Sequence, residues 1–255
     1  MQRGRKMADY KAEIDNEVIR QLAARKSVRV FEDREIDEEI VRKILDSATQ
    51  APTAGNQQLY TILRITDRDK LLRLSESCDH QPFIAEGKLV LVFCADCLKW
   101  YEAYRYGNCE PRKPGAGDLM LAVVDTAIAA QNAVVAAESY GIGSCYIGDI
   151  LENIEQQRDI LGLPEYVMPA AMLVFGYPTQ QQKDREKPPR TPLDHVVYEN
   201  TYPELNEEEV RGMVECKCRG GAYEDWIKAF CKRKYNSDFS GEMTRSVREY
   251  LKQYE

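Results

Sequence analysis

Histidine is almost absent: His80 and His195 are the only two in 255 residues. A zinc site built on imidazole, or a hydrolytic triad with His as its base, would have to draw on one of these, and neither sits in a local signature. No P-loop, GxSxG or HExxH occurs. The two stretches nearest to GxGxxG put Met120 and Tyr146 where the third glycine belongs. Positive charge is also short. With 35 Lys and Arg against 42 Asp and Glu, the net charge is −7, which argues against a nucleic-acid partner and gives no support for docking on an anionic membrane. The basic start at 1–11 is followed by no apolar stretch, so it does not read as a signal peptide, and the chain is expected in the cytoplasm. No internal repeat or low-complexity tract is present.

Eight cysteines suit a reducing compartment. Cys94 and Cys97 have redox-motif spacing, but residues 89–95 read as a buried strand, where Cys is a small apolar residue. Cys216, Cys218 and Cys231 lack the second CxxC pair or nearby His of a zinc site, so no metal is expected. The chain offers no obvious nucleophile. An organic cofactor held by backbone, amides and cations explains its features better.

The stretch from Gly117 to Gly148 organises the rest. It is Ala-rich, lacks Pro, and has no Gly between Asp118 and Tyr140, so it reads as a helix. Asp118, Asp125, Asn132 and Ser139 recur every seven residues as one narrow polar stripe. A helix apolar over the remaining circumference must be buried on several sides, and part of that surface is expected to meet a second subunit. Asp125, Thr126, Gln131 and Asn132 interrupt the apolar run, which argues against a membrane span. The glycines of Gly141-Ile142-Gly143-Ser144-Cys145-Tyr146-Ile147-Gly148 stop the helix and start a segment able to bring backbone close to a flat ligand.

Around it, helices are expected at 15–25, from an N-cap at Asp37 to near Pro52, at 67–78, 97–106 and 152–161, with two or three more in the tail from 206 to 255. Strands are expected at 59–66, 89–95 and 170–175. Residues 177–192, polar and Pro-rich, read as an extended loop. Few strands among many helices imply an α+β or α/β layered architecture.

Three polar clusters stand out. Arg25, Lys26, Ser27 and Arg29 put three cations and a hydroxyl within five residues; they suit either a helix C-terminus or a phosphate. Pro52-Thr53-Ala54-Gly55-Asn56-Gln57-Gln58 carries three consecutive amides, either a turn or donors and acceptors for a heterocyclic edge. Lys187-Pro188-Pro189-Arg190 favours polyproline geometry, which sends both cations to similar sides.

Taken in order, several segments resemble the nitroreductase family, in particular its flavin-reductase-like branch. They are RKSVRVF at 25–31, APTAGNQQ at 51–58, QPFI at 81–84 and LVFCAD at 91–96, then DTAIAAQNA at 125–133, GIGSCYIG at 141–148, VFGYP at 174–178 and VVYENTY at 196–202. The resemblance implies an α+β, three-layer fold with a central mixed or antiparallel sheet flanked by helices, and the long central helix at a homodimer interface. It implies one domain over 1–255, with a core at 16–202 and a helical extension at 203–255 whose helices are expected to wrap the partner subunit. It implies FMN as cofactor, NAD(P)H as donor, and a nitroaromatic, quinone or flavin as small-molecule acceptor in a ping-pong cycle. No side chain is expected to be catalytic in its own right. Matched to the family's motifs, Arg25, Lys26 and Ser27 are similar to phosphate or ribityl contacts, and Arg29 to a cation that favours the reduced, anionic ring. Pro52, Thr53, Asn56 and Gln58 match the ring-lining segment, Tyr146, Ile147 and Gly148 the backbone beside the ring, and Lys187 and Arg190 distal basic contacts. The Lys187–Arg190 spacing is one residue longer than the family's, and Leu59-Tyr60 replaces its Pro-Trp. Trp100 to Tyr106 is similar to the variable region over the flavin, and equally fits core packing. Reductive removal of a substituent, oxidative flavin chemistry, and a non-catalytic flavin-binding role remain the alternatives, together with cysteine redox or metal chemistry.

Overall fold

The computed structural model describes residues 16–218 and 220–255; the basic start at 1–11 lies outside them. In chain order the elements are α1 (Glu17–Ala24), α2 (Glu38–Thr49), β1 (Tyr60–Ile65), α3 (Arg68–Ser77), α4 (Phe83–Glu86) and β2 (Leu89–Asp96). Next come α5 (Leu98–Tyr106), α6 (Ala116–Ser139), β3 (Gly143–Ile147), α7 (Ile154–Leu161), β4 (Val167–Gly176) and α8 (Gln180–Asp184). The chain ends in α9 (Glu207–Glu215), α10 (Tyr223–Lys234) and α11 (Asp238–Leu251). Two compact units result. The larger comprises Arg25–Arg185 and Asp238–Glu255, the smaller Glu186–Ser237 with the described residues up to Ala24. The division falls inside the 203–255 extension.

In the larger unit the sheet order is β1-β2-β4-β3, and every strand pair is antiparallel. The parallel element is a single bridge, Ser27 to Ser144, at the outer edge of β3. β2 is apolar at nearly every position because both its faces are buried. Leu89, Leu91 and Phe93 point to one side with Leu173 and Phe175, against Val41, Ile44 and Ala48 of α2 and the alanines of α6. Val90, Val92 and Cys94 point to the other with Met172 and Val174, against Leu71 and Leu74 of α3, Ile84 of α4 and Ile160 of α7. This alternation is what a strand's period of two requires, and it makes three layers.

The central helix behaves as its pattern predicts on one side. Ala129, Ala130, Ala133 and Ala137 are fully buried under the sheet, where small side chains let backbone approach closely. By length and composition α6 could cross a membrane, yet this face is the floor of the core. The polar stripe has a specific purpose. Asp118 accepts from the Gly115 amide and pairs with Arg112, Asp125 accepts from the loop after α2, and Asn132 donates to the Ser47 carbonyl at the end of α2. On the opposite side Met120, Leu121 and Val124 are about half exposed or more, at 62%, 52% and 51%.

One expectation changes. Residues 177–192 are not wholly extended, because α8 forms within them. Its first turn closes on the Thr179 carbonyl, and the buried Gln182 side chain accepts the Arg29 amide. The tail forms three helices, as expected, and the last of them packs within the larger unit. Tyr250 and Tyr254 join Leu59, Ala95, Cys97 and Ala122 in a third apolar cluster, and Ser246 accepts the Ile154 amide at the start of α7. Thus α11 spends its apolar face on its own chain. In the smaller unit, α9 opens on a reciprocal cap between Asn206 and Glu209, and Trp226 stacks on Phe230 in α10 at 4.7 Å.

Candidate functional site

The predicted residues of the larger unit gather in two clusters. The first lies along β3. Residues 25–29 run beside the strand's free edge, with the Val28 amide donating to the Ser144 carbonyl at 2.9 Å. The approach is possible because residue 143 is glycine: a Cβ there would lie 2.5 Å from a Val28 methyl. Gly143 therefore serves contact between two chain segments, whereas the sequence pointed to a ligand. Gly148 is exposed, and a Cβ there would meet nothing within 4 Å.

Arg25 is half-buried, and its Nε is fully shielded with no hydrogen-bond partner. The neighbouring Ser144 hydroxyl is buried and unpaired as well. A buried cationic donor without an acceptor is costly unless something binds there. Arg29 is exposed, and its guanidinium lies 6.0 Å from the centre of the Phe83 ring. Positive charge pervades the cluster. Burial raises the Cys145 thiol, while Arg29 and Arg25 and a hydrogen bond from Ser27 pull it back. Burial likewise pushes the Tyr146 phenol up to about 12 against the pull of Arg25. The Tyr146 hydroxyl donates to Gln131 of α6 at 3.3 Å, and Ile147 is buried. Lys26 is differently employed: its ammonium donates to the carbonyls of Lys183, at 2.7 Å, and Arg185, which cap the end of α8.

The second cluster is the loop after α2. Pro52, Asn56 and Gln58 are exposed and Thr53 is half-buried. Asn56 and Gln58 hold positive φ angles of 57° and 53°, and Gly55 one of 58°. Such a backbone persists only where surrounding contacts over-determine it. The contacts come from Asp125, which is 3% exposed. Its carboxylate accepts the Thr53 hydroxyl, the Ala54 amide at 3.0 Å and the Leu59 amide at 3.3 Å. Thr53 in turn accepts the Gln58 amide at 2.7 Å. The Gln58 side chain donates to the Thr49 carbonyl and the Tyr60 hydroxyl. Asp125 was not among the predicted site residues, although its place in the heptad stripe marked it as a polar group in an apolar helix.

Gln57 joins this loop to α5. Its carbonyl accepts the Trp100 indole at 2.7 Å, and its amide donates to the Tyr104 hydroxyl at 3.4 Å. Trp100, Tyr101 and Tyr104 line a cavity of about 460 Å³ together with Leu121 and residues of the 109–114 loop. The aromatic run is therefore cavity lining more than core; no residue of α5 is fully buried. A pocket of this size, lined by aromatic and apolar side chains with a few charged ones, suits a small aromatic molecule.

Lys187 and Arg190 belong to the smaller unit. The Lys187 ammonium donates to the carbonyls of Leu22, at 3.2 Å, and Ala23, closing the end of α1. Arg190 is exposed, and its carbonyl accepts the Cys216 thiol. Cys94 and Cys97 are buried in different apolar clusters, and burial pushes both thiols up to about 12. They are inert at neutral pH. Among the described residues no group of three His, Cys, Asp or Glu side chains is arranged to hold a metal ion.

Comparison with known proteins fits this architecture. The "FMN reductase [NAD(P)H]" of Bacillus subtilis is 28% identical over 237 residues, covering 92% of this chain and 91% of that protein. The NADPH:FMN oxidoreductase of Vibrio harveyi, solved in complex with NAD+, superposes with a TM-score of 0.78 at 26% identity, over 92% of this chain and 98% of that one. NfrA2 of B. megaterium gives 0.80 at 28% identity, over 94% and 98%. The model of the nitroreductase family matches residues 22–177, well over half of the chain, and with the three-layer sheet and its buried alanine helix this establishes that the protein belongs to that family.

Proposed function

We propose that this protein is an FMN-dependent NAD(P)H oxidoreductase that passes two electrons to a small-molecule acceptor such as a nitroaromatic, a quinone or a free flavin. The observation that carries the reading is the orphaned Arg25 Nε beside Ser27 and Arg29 on the β3 edge. It is a buried cationic donor without an acceptor, on the scaffold of a family whose relatives are named for FMN and NAD(P)H. When bound, FMN supplies a ring that accepts a hydride and later returns two electrons.

The chain's own residues then have limited tasks. Arg25 and Ser27 donate to the phosphate, and the forked guanidinium fits its oxygens. Arg29 contributes positive potential, which favours an electron-rich ring over a neutral one. Pro52, Thr53, Asn56 and Gln58 line the ring, and Tyr146, Ile147 and Gly148 offer it backbone. Lys26 holds α8 in place behind the phosphate contacts. These contacts are confined to the larger unit. The aromatic cavity at Trp100 and Tyr104 receives the acceptor. Donor and acceptor use one place in turn, so the kinetics are ping-pong. The half-exposed Met120, Leu121 and Val124 of α6 support a homodimer formed through that helix. Eight free cysteines support work in the cytoplasm. Coverage of 92% of the chain by one relative supports a single functional domain over 1–255. Initial rates at several fixed acceptor concentrations test the cycle: parallel double-reciprocal lines agree with it, and converging lines contradict it.

A further inference from the structure

The loop from Thr53 to Leu59 has a conformation that its own sequence does not favour. Two of its non-glycine residues, Asn56 and Gln58, sit in the left-handed region, where a side chain costs about 1 kcal/mol or more. Its own backbone bonds are few, among them a single 3-10 turn at Ala54–Asn56 and the Leu59 carbonyl accepting the Asp96 amide. Besides the Gln58 and Trp100 bonds, the hold comes from one carboxylate on a different element, 71 residues from Ala54 in sequence. Asp125 accepts three donors from the loop, the Thr53 hydroxyl and the Ala54 and Leu59 amides, and reaches a fourth, the Gln58 amide, through the Thr53 oxygen. A carboxylate only accepts, so it suits this all-donor surrounding; a neutral amide in its place turns one acceptor into a donor facing a donor. The helix that carries Asp125 packs its alanine face against the sheet, so the loop is referenced to a buried core element.

We propose that Asp125 is a positioning residue for electron transfer: it locks the ring-lining loop in its single working conformation and carries Gln57, with Trp100 and Tyr104 attached, into register with the cavity. This rests on the proposed flavin reading. Asp125 is buried at 3% exposure and acts through Thr53 and the Ala54 and Leu59 amides. Its effect falls on turnover more than on cofactor retention, because the phosphate contacts at Arg25 and Ser27 belong to the other cluster.

The test uses the full chain with Asp125→Asn and, as a milder second variant, Thr53→Val, which removes the relay while leaving the carboxylate and its two amide contacts. Hydrogen exchange is followed at the amides of Ala54, Gln58 and Leu59 without added flavin. FMN titration and steady-state turnover with NADPH and a quinone follow. In Asp125→Asn, exchange at these amides is expected to rise roughly tenfold to a hundredfold. The rate kcat should fall roughly tenfold or more, while the FMN Kd moves less than about threefold. Thr53→Val should accelerate Gln58 alone and lower kcat by less. Unchanged exchange at the three amides overturns the proposal, as does unchanged kcat in a variant whose loop exchanges faster. A folded Asp125→Asn that loses FMN but keeps kcat once saturated also overturns it. If the parent protein binds no FMN, the flavin reading fails and with it the electron-transfer role, whatever the exchange shows. If the parent turns over normally and only the variants fail these criteria, the positioning role alone is wrong.

Discussion

Replacing Glu152 by Gln should stabilise the protein at mildly alkaline pH and do little at acid pH. Glu152 follows the turn after β3, is 5% exposed, and has one carboxylate oxygen buried without a partner. Burial, then the carboxylates of Asp149, Asp79 and Glu242, raise it from 4.5 to about 7. Glu242 comes from α11 and is held down at about 2, chiefly by Arg245 and Ser246, so it stays charged through the range of interest. Between the two Glu152 values the folded protein keeps a proton that the unfolded chain has released. Stability therefore falls as pH rises from about 4.5 through 7, and below that window the group contributes no difference. The full displacement corresponds to about 3 kcal/mol, and local relaxation around the carboxylate reduces it to about 1–2 kcal/mol. Urea unfolding of parent and Glu152→Gln at about pH 5 and about pH 8 measures this. The variant should gain about 1–2 kcal/mol relative to the parent between the two conditions. An equal difference at both, or a variant that is less stable at the higher pH, refutes the reasoning.

Other expectations follow from the same contacts. Gly143→Ala places a methyl 2.5 Å from a Val28 methyl and 2.9 Å from its Cβ; thermal unfolding should show a loss of about 1–3 kcal/mol, and FMN affinity should drop as the 25–29 segment is pushed off β3. Arg25→Ala removes a charged donor pair and should raise the FMN Kd roughly tenfold to a hundredfold in a fluorescence titration, with Arg25→Lys recovering only part because an ammonium lacks the fork. Tyr250→Phe deletes a buried hydroxyl that has no partner; stability should stay level or rise by up to about 1 kcal/mol, and a loss larger than that by denaturant titration would mean that the hydroxyl has an acceptor after all.

Much of the fold can be read from the sequence because its elements carry strong periodic signals. The run from Leu89 to Ala95 is apolar on both faces and becomes one of the two inner strands. Asp37 caps α2, accepting the Glu39 amide at 2.7 Å. The alanines of α6 lie under the sheet, and its heptad polar positions turn toward loops. What escaped depends on long-range partners. α8 forms in a polar stretch because Gln182 and the Thr179 carbonyl are recruited by segments more than a hundred residues away in sequence or at its own first turn. The tail reads as amphipathic helices in any case, yet nothing in residues 238–255 says that Tyr250 will be buried beside Cys97. The site shows the same division. Its cations and amides are legible as a linear pattern, whereas their employment is not: Lys26 and Lys187 close helix ends, Gln58 ties its loop to α2, and Asp125 organises that loop from across the core.

The most direct test of the account is the visible spectrum of the purified protein, supplied with FMN and then mixed with NADPH or NADH in the absence of oxygen. The account predicts a bound-flavin absorption band that bleaches with at least one nucleotide and returns when a quinone or nitroaromatic is added. A protein that binds no FMN, or one whose flavin band neither nucleotide bleaches, would contradict it.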